Sequence, residues 1–182
     1  MMLTVIIILL ILLYFIYVYN RFIKQKNLVN EAWSGIDVQL KRRYDLIPNV
    51  VSTVKGYSSY EKDLLQKVTD QRTKAMQFSS PGEKAKPESE LSGGLKSLLA
   101  VAENYPDLKA NQSFLDLQKQ LAEVEDLIQY ARRYYNGAVR EYNTMVQSFP
   151  SNIAASLMGF KGAEFFEISL ATERETPKVG LS

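Results

Sequence analysis

FLDLQKQLAEVEDLIQYARRYYNGAVREYNTMVQSF, residues 114–149, is the longest periodic stretch of the chain. Its apolar side chains fall at Phe114, Leu117, Leu121, Val124, Ile128, Ala131, Tyr135, Ala138, Tyr142, Met145 and Phe149. The steps alternate between three and four residues, the spacing of one helix face and of a heptad seam. Sustained for about five heptads, the pattern predicts roughly 50 Å of helix at ~1.5 Å per residue. Pro150 ends it, and Ser151-Asn152 can open one or two further turns before Gly159. A seam of this length must pack against other helices or other subunits.

Upstream, Val29, Trp33, Ile36, Leu40, Tyr44, Ile47, Val51 and Val54 recur in the same steps and predict a second amphipathic helix. Pro48 lies inside that pattern and predicts a kink or a short break. Ser58 and Glu61 have the spacing of a capping box, which restarts a helix carrying Leu64, Val68 and Ala75. SSPGEKAKPESE, residues 79–90, has two prolines, a glycine and no large apolar side chain, and is expected to be a flexible loop. Leu91, Leu95, Leu98 and Ala102 predict a short helix, stopped at Asn104-Tyr105-Pro106. No strand pattern competes, so the expected fold is all-α: an antiparallel helical bundle with long helices.

Residues 1–20, MMLTVIIILLILLYFIYVYN, carry no charged side chain. A bilayer span needs roughly 17–25 apolar residues, and this run lacks the polar stripe of a buried core helix. No basic residue precedes it and no small-residue cleavage site follows, so it is expected to be an uncleaved transmembrane signal anchor. Tyr14, Tyr17 and Tyr19 suit a headgroup-level aromatic belt. Nothing between the anchor and Val29 stops a helix, which allows one rod to run from the membrane into the domain. Arg21, Lys24 and Lys26 follow at once, and the positive-inside rule then predicts an outer N-terminus and a cytoplasmic C-terminal domain. The expected division is an anchor at 1–20, a bundle at 21–170 and a frayed tail at 171–182.

The 182 residues include no cysteine and no histidine. Disulfides, thiolate metal sites, cysteine nucleophiles and His-dependent triads are therefore excluded for this sequence. The net charge of +2 gives no electrostatic case for nucleic acid as a partner. Carboxylate, lysine and tyrosine chemistry is what remains.

Several long blocks, taken together, resemble the LemA family. They are AWSGIDVQLKRRYDLIPNVVSTVKGYSSYE at 32–61, ENYPDLKANQSFLDLQKQL at 103–121, EDLIQYARRYYNGAVREYN at 125–143, SFP at 148–150 and FFE at 165–167. The resemblance implies a membrane-anchored helical bundle of bacterial type, without an established catalytic activity or cofactor. It also implies company with membrane proteins, since some relatives are associated with membrane-organelle biogenesis or occur beside membrane proteases.

Each chemically suggestive cluster has a plain structural account. Lys41-Arg42-Arg43 project in different directions from a helix, as a solvated face or as partners in ion pairs. Glu123, Glu125 and Asp126, near Arg132 and Arg133, suit polar bundle layers; a dinuclear metal bundle would draw on histidine as well. No catalytic, cofactor or metal site is expected. Arg21, Lys24 and Lys26 are candidates for lipid headgroup contact as well as topology signals. Of Tyr130, Tyr134, Tyr135 and Tyr142, four cannot share one face, so Tyr130 and Tyr134 are candidates for a subunit interface. Phe160, Phe165 and Phe166, with Ile153, Leu157 and Met158, either fold back onto the bundle or form a partner- or membrane-facing patch. The expected function is a noncatalytic, self-associating membrane scaffold or adaptor whose partners are the bilayer, further copies and other membrane proteins. The alternative is a membrane-shaping protein whose oligomers remodel the bilayer.

Overall fold

The computed structural model describes residues 1–57 and 61–167. Among the described residues six helices follow in order: α1 Met2–Lys55, α2 Lys62–Ala75, α3 Pro81–Ala102, α4 Pro106–Lys109, α5 Gln112–Gln147 and α6 Ser151–Met158. No strand occurs among the described residues, and the fold is all-α. The apolar N-terminal run and the first amphipathic stripe form one helix of 54 residues. Pro48 lies within it without ending it. Ser58 of the expected capping box and the tail at 171–182 lie outside the described residues; Glu61, the other member of the box, is the N-cap of α2 and not its third residue.

The helices form two units. Among the described residues, the first comprises Met1–Val38 and Ile128–Phe165; the second comprises those of Gln39–Leu127 together with Phe166 and Glu167.

In the first unit α1 and α5 run antiparallel. Going up α1, Phe22 meets Tyr142 with ring centroids 6.2 Å apart, Gln25 donates to Glu141 at 2.9 Å, and Trp33 meets Tyr135 at 5.4 Å. Phe22, Val29, Ala32 and Ile36 are buried, as are Ile128, Tyr135, Ala138, Val139 and Tyr142 on α5. The heptad seam thus lies inward over most of its length, but its last member, Phe149, is 80 % exposed. After α5 the Ser151 hydroxyl donates to the Met145 carbonyl at 2.7 Å and approaches the Ser148 carbonyl at 2.9 Å, at the end where α5 leaves carbonyls without intrahelical donors. Gly159 closes α6 at φ +73°, a left-handed position that glycine occupies without a Cβ clash. The reversal brings Phe160 flat against Phe22, centroids 4.7 Å apart.

In the second unit Leu40, Tyr44, Ile47, Val50 and Val54 face a core that includes Leu65, Val68, Leu91, Leu95, Leu98, Leu108, Phe114, Leu121 and Val124. Helices α2 and α3 pack closely at Gly94, where a Cβ would run into the Gln71 amide and lie 3.3 Å from Val68 Cγ2. Lys74 and Glu90 pair across the same two helices at 2.8 Å.

The expected flexible loop at 79–90 is corrected here: from Pro81 onward it is the first half of α3. Ser80 is extended, with φ −81° and ψ 146°, and Pro81 takes the first helical position, where a missing N–H costs nothing. Glu83 supplies acid to the first turn. The segment is held by buried polar side chains, Lys84 and Glu88, instead of large apolar ones.

Candidate functional site

Two features concentrate chemistry, one in each unit. The first is the apolar face of α1. Its N-terminal part is long and apolar enough to cross a membrane, and very little of it is buried. Among residues 1–20 only Phe15 and Val18 are covered; the rest are open. Arg21, Lys24 and Lys26 are all exposed and follow directly.

The second feature is a buried charge cluster. Arg43 falls on the apolar stripe of α1, three residues after Leu40 and four before Ile47, and its side chain is 1 % exposed. Lys41 and Arg42 beside it are exposed, so the basic triplet divides between solvent and core. Arg43 Nη2 pairs with Glu88 Oε2. Its Nη1 donates to Ser92 Oγ at 2.9 Å and to Glu125 Oε2 at 2.8 Å. The Tyr44 hydroxyl donates to the other Glu88 oxygen, Oε1. Lys84 Nζ stands 5.9 Å from the centre of the Tyr44 ring, within range of a cation–π attraction.

Burial pushes the Glu88 carboxyl above its ordinary range, against the opposing pull of Arg43, the Tyr44 hydroxyl and Lys84. Desolvation thus outweighs three partners, as expected for a carboxylate taken wholly out of water. The cluster joins α1, α3 and α5 through one guanidinium. Its hydrogen bonds and ion pairs pin these three helices together. Glu125, expected to share a polar layer with Arg132, pairs with Arg43; Arg132 donates to Gln129 Oε1 at 2.5 Å. Beside the pin lies a cavity of about 210 Å³ lined by Leu95, Leu99, Leu121 and Ala122, with Arg43, Ser92 and Glu125 on its polar side.

In the first unit Asn143 clamps the chain after α6. Its Nδ2 donates to the Ala163 carbonyl at 2.9 Å, and its Oδ1 accepts from the Ala163 N–H at 2.7 Å. The Tyr135 hydroxyl donates to the Glu164 carbonyl at 2.7 Å. Burial, with help from the Glu164 carboxylate, pushes the Tyr135 phenol up to about 12, so it stays a donor throughout the neutral range.

The interface candidates separate. Tyr130 and Tyr134 are exposed at 67 % and 51 %, whereas Tyr135 and Tyr142 are buried. The apolar cluster near the C-terminus splits as well. Phe166 is fully buried and Phe160 is stacked on Phe22, so these two follow the expected alternative of folding back into the packing and are removed from the interface candidates. Phe165, Ile153 and Leu157 remain open. Sequence reasoning missed Glu88, Ser92 and Asn143 altogether.

The sequence profile of the LemA family matches residues 32–180. Magnetosome protein MamQ 2 of Paramagnetospirillum magneticum is 26 % identical over 175 residues, covering 82 % of this chain and 64 % of that protein. Protein LemA of Metamycoplasma hominis is 28 % identical over 162 residues, covering 86 % of this chain and 73 % of its own. Magnetosome protein MamQ of Magnetospirillum gryphiswaldense is 22 % identical over 174 residues, covering 81 % of this chain and 64 % of its own. The chain therefore spans less than two thirds of the length of the MamQ relatives it matches. The profile match begins inside α1 and takes in the Arg43 pin, the Asn143 clamp and α6. On that match, which extends well beyond half of the sequence, the chain belongs to the LemA family.

Proposed function

We propose that this protein is a membrane-anchored, noncatalytic scaffold that self-associates and presents its helices to other membrane proteins. The observation that carries this reading is the exposed, uncharged run of α1, followed without a break by a basic collar and then by packed helix. Left in water, so large an apolar surface would be a strong aggregation liability; in a bilayer it is an anchor. Arg21, Lys24 and Lys26 then lie at the headgroup level, each attracted to anionic lipid by about 1 kcal/mol, and they set the N-terminus outside and the remainder in the cytoplasm. Confinement to a plane raises the effective concentration of every exposed helix face, so weak contacts suffice for assembly. The MamQ relatives are named for a cellular structure and not for a reaction, which supports the noncatalytic reading.

The test uses the absence of native cysteine. A single cysteine at the exposed Lys119 position is offered to a membrane-impermeant maleimide in intact cells, and crosslinking in the same membranes identifies partners. Protection until lysis, together with recovery in the membrane fraction, is the expected result. Labelling without lysis would reverse the topology, and recovery in the soluble fraction would remove the anchor.

A further inference from the structure

The antiparallel register of the first unit places more of the chain at the membrane than α1 alone. Trp33 faces Tyr135, Gln25 bonds Glu141 and Phe22 faces Tyr142. Descending α1 toward its N-terminus therefore means ascending α5 in number. α5 ends at Gln147, five residues beyond Tyr142 and about 7–8 Å further along at ~1.5 Å per residue, and Phe149 follows in the turn after it. Gln147 is therefore at the level of Tyr17, inside the uncharged run that ends before Arg21. A second contact fixes the level independently. Phe160, beyond α6, stacks on Phe22 and lies 5.9 Å from Tyr19. α6 is thus bracketed by the end of α5 and by Phe160, both at the end of the apolar run. Phe15 and Val18, the covered residues of that run, are at the same height.

The composition of α6 fits the level. Ala154 and Ala155 are buried, forming its inner face. Ile153 and Leu157, four residues apart and hence on one face, are 51 % and 72 % exposed, and Phe149 just before the helix is 80 % exposed. Three large apolar side chains turned outward are unfavourable in water and favourable at the edge of hydrocarbon. Exposed basic groups flank them: Lys161 follows α6, and Arg21 precedes the ring on which Phe160 stacks.

We propose that α6 is a second membrane contact: a short helix seated at the headgroup–acyl boundary beside the span, with Phe149, Ile153 and Leu157 in the acyl layer and Lys161 among the headgroups. The proposal rests on the reading of residues 1–20 as a span. Its occupant is the lipid of the bilayer that α1 crosses, because the face is continuous in level with the apolar run. Through Phe160 and the Asn143 clamp, α6 would hold the lower ends of α1 and α5 at a fixed depth.

The test places single cysteines, one at a time, at Ile8, Ile153, Leu157 and the exposed Arg133 of the full-length chain. Each is labelled with an environment-sensitive fluorophore and reconstituted into phosphatidylcholine–phosphatidylglycerol vesicles. Nitroxides on shallow or deep acyl carbons report depth. Labels at Ile153 and Leu157 are expected to emit blue-shifted and to be quenched several-fold more than at Arg133, with the shallow nitroxide stronger than the deep one. The Ile8 label should favour the deep nitroxide. Water-like emission at Ile153 and Leu157 with quenching equal to Arg133, while Ile8 stays quenched, would overturn the α6 contact and leave the span intact. A blue shift without lipid quenching would mean that protein covers the face, and would overturn it equally. An unquenched Ile8 would remove the span and the proposal with it.

Discussion

Arg72 Nε donates a hydrogen bond of 2.7 Å to the carbonyl of Tyr44. Tyr44 lies four residues before Pro48, so this is the carbonyl whose intrahelical donor the proline removes. A side chain from α2 takes the place of the missing N–H. The proline therefore costs α1 less than it would in an isolated helix, and α1 runs through it to Lys55.

Replacing Arg72 with alanine should leave that carbonyl short of a donor and cost about 1–3 kcal/mol. In a Pro48→Ala background the helix regains its own N–H, so the same change should cost distinctly less. A double-mutant cycle on urea unfolding of the detergent-solubilised full-length protein measures the difference. Equal costs in both backgrounds would show that Arg72 does not serve the proline.

The Arg43 pin makes a related prediction with the opposite lesson. Arg43→Met should cost about 3–5 kcal/mol, because it leaves Glu88 buried without its guanidinium. Arg43→Met combined with Glu88→Leu removes both charges, and Glu125, partly exposed, can turn to water. The double variant should recover most of the loss, since well-packed apolar pairs often match buried ion pairs. A double variant as unstable as the single would show that the network stabilises the fold beyond mutual neutralisation.

The titration of Glu88 gives a third prediction. Its folded pKa is raised, so in the window above the ordinary value of 4.5 the folded state binds the proton more tightly than the unfolded chain. Stability contributed by this group is therefore present at low pH and is lost as pH rises through that window toward the folded value. Glu88→Gln, which cannot ionise, should lack this loss. Unfolding curves for both proteins across the acidic range should converge at the low end and diverge upward. A wild-type curve that instead gains stability relative to Glu88→Gln over that window would mean that Arg43 and Lys84 outweigh burial.

Periodicity made most of the helices legible, because each buries a face with a regular step. The seam from Phe114 to Tyr142 is buried largely as its spacing implies, and the stripe from Val29 to Val54 gains two apolar members, Ala32 beside Trp33 and Val50 beside Val51. What escaped was polar burial. Continued backward, the steps of Ala102, Leu98, Leu95 and Leu91 land on Glu88 and Lys84, both buried. Forward from Ile36 and Leu40, the same steps land on Arg43. The pattern was present, but reading only apolar residues hides a stripe whose members are charged. A basic residue on one stripe and an acidic residue on another are the signal that they meet. The clamp on Ala163 left no such trace, since a single Asn143 at a helical position carries no periodicity, and its partner is backbone.

Self-association is the last prediction, and it turns on Tyr130 and Tyr134. Both lie on α5 and are exposed, while Tyr135 and Tyr142 on the same helix are consumed by the core. Tyrosine joins a broad apolar ring to a polar tip, which suits a face that alternates between water and protein. Because neither side chain contributes to the core, Tyr130→Ser together with Tyr134→Ser should change unfolding stability by no more than about 0.5 kcal/mol for each substitution, the range of ordinary surface changes. Zero-length crosslinking of the full-length chain in native membranes should nonetheless lose its dimer and higher bands, and mass measurement in nanodiscs should shift to the monomer. Planar confinement makes the assay sensitive, since a contact too weak to register in dilute detergent is still populated in the membrane. Unchanged crosslinking in the double variant would move the contact to another face. A monomer in the unmodified protein, by both methods and at native abundance, would remove self-association and leave a tethered adaptor.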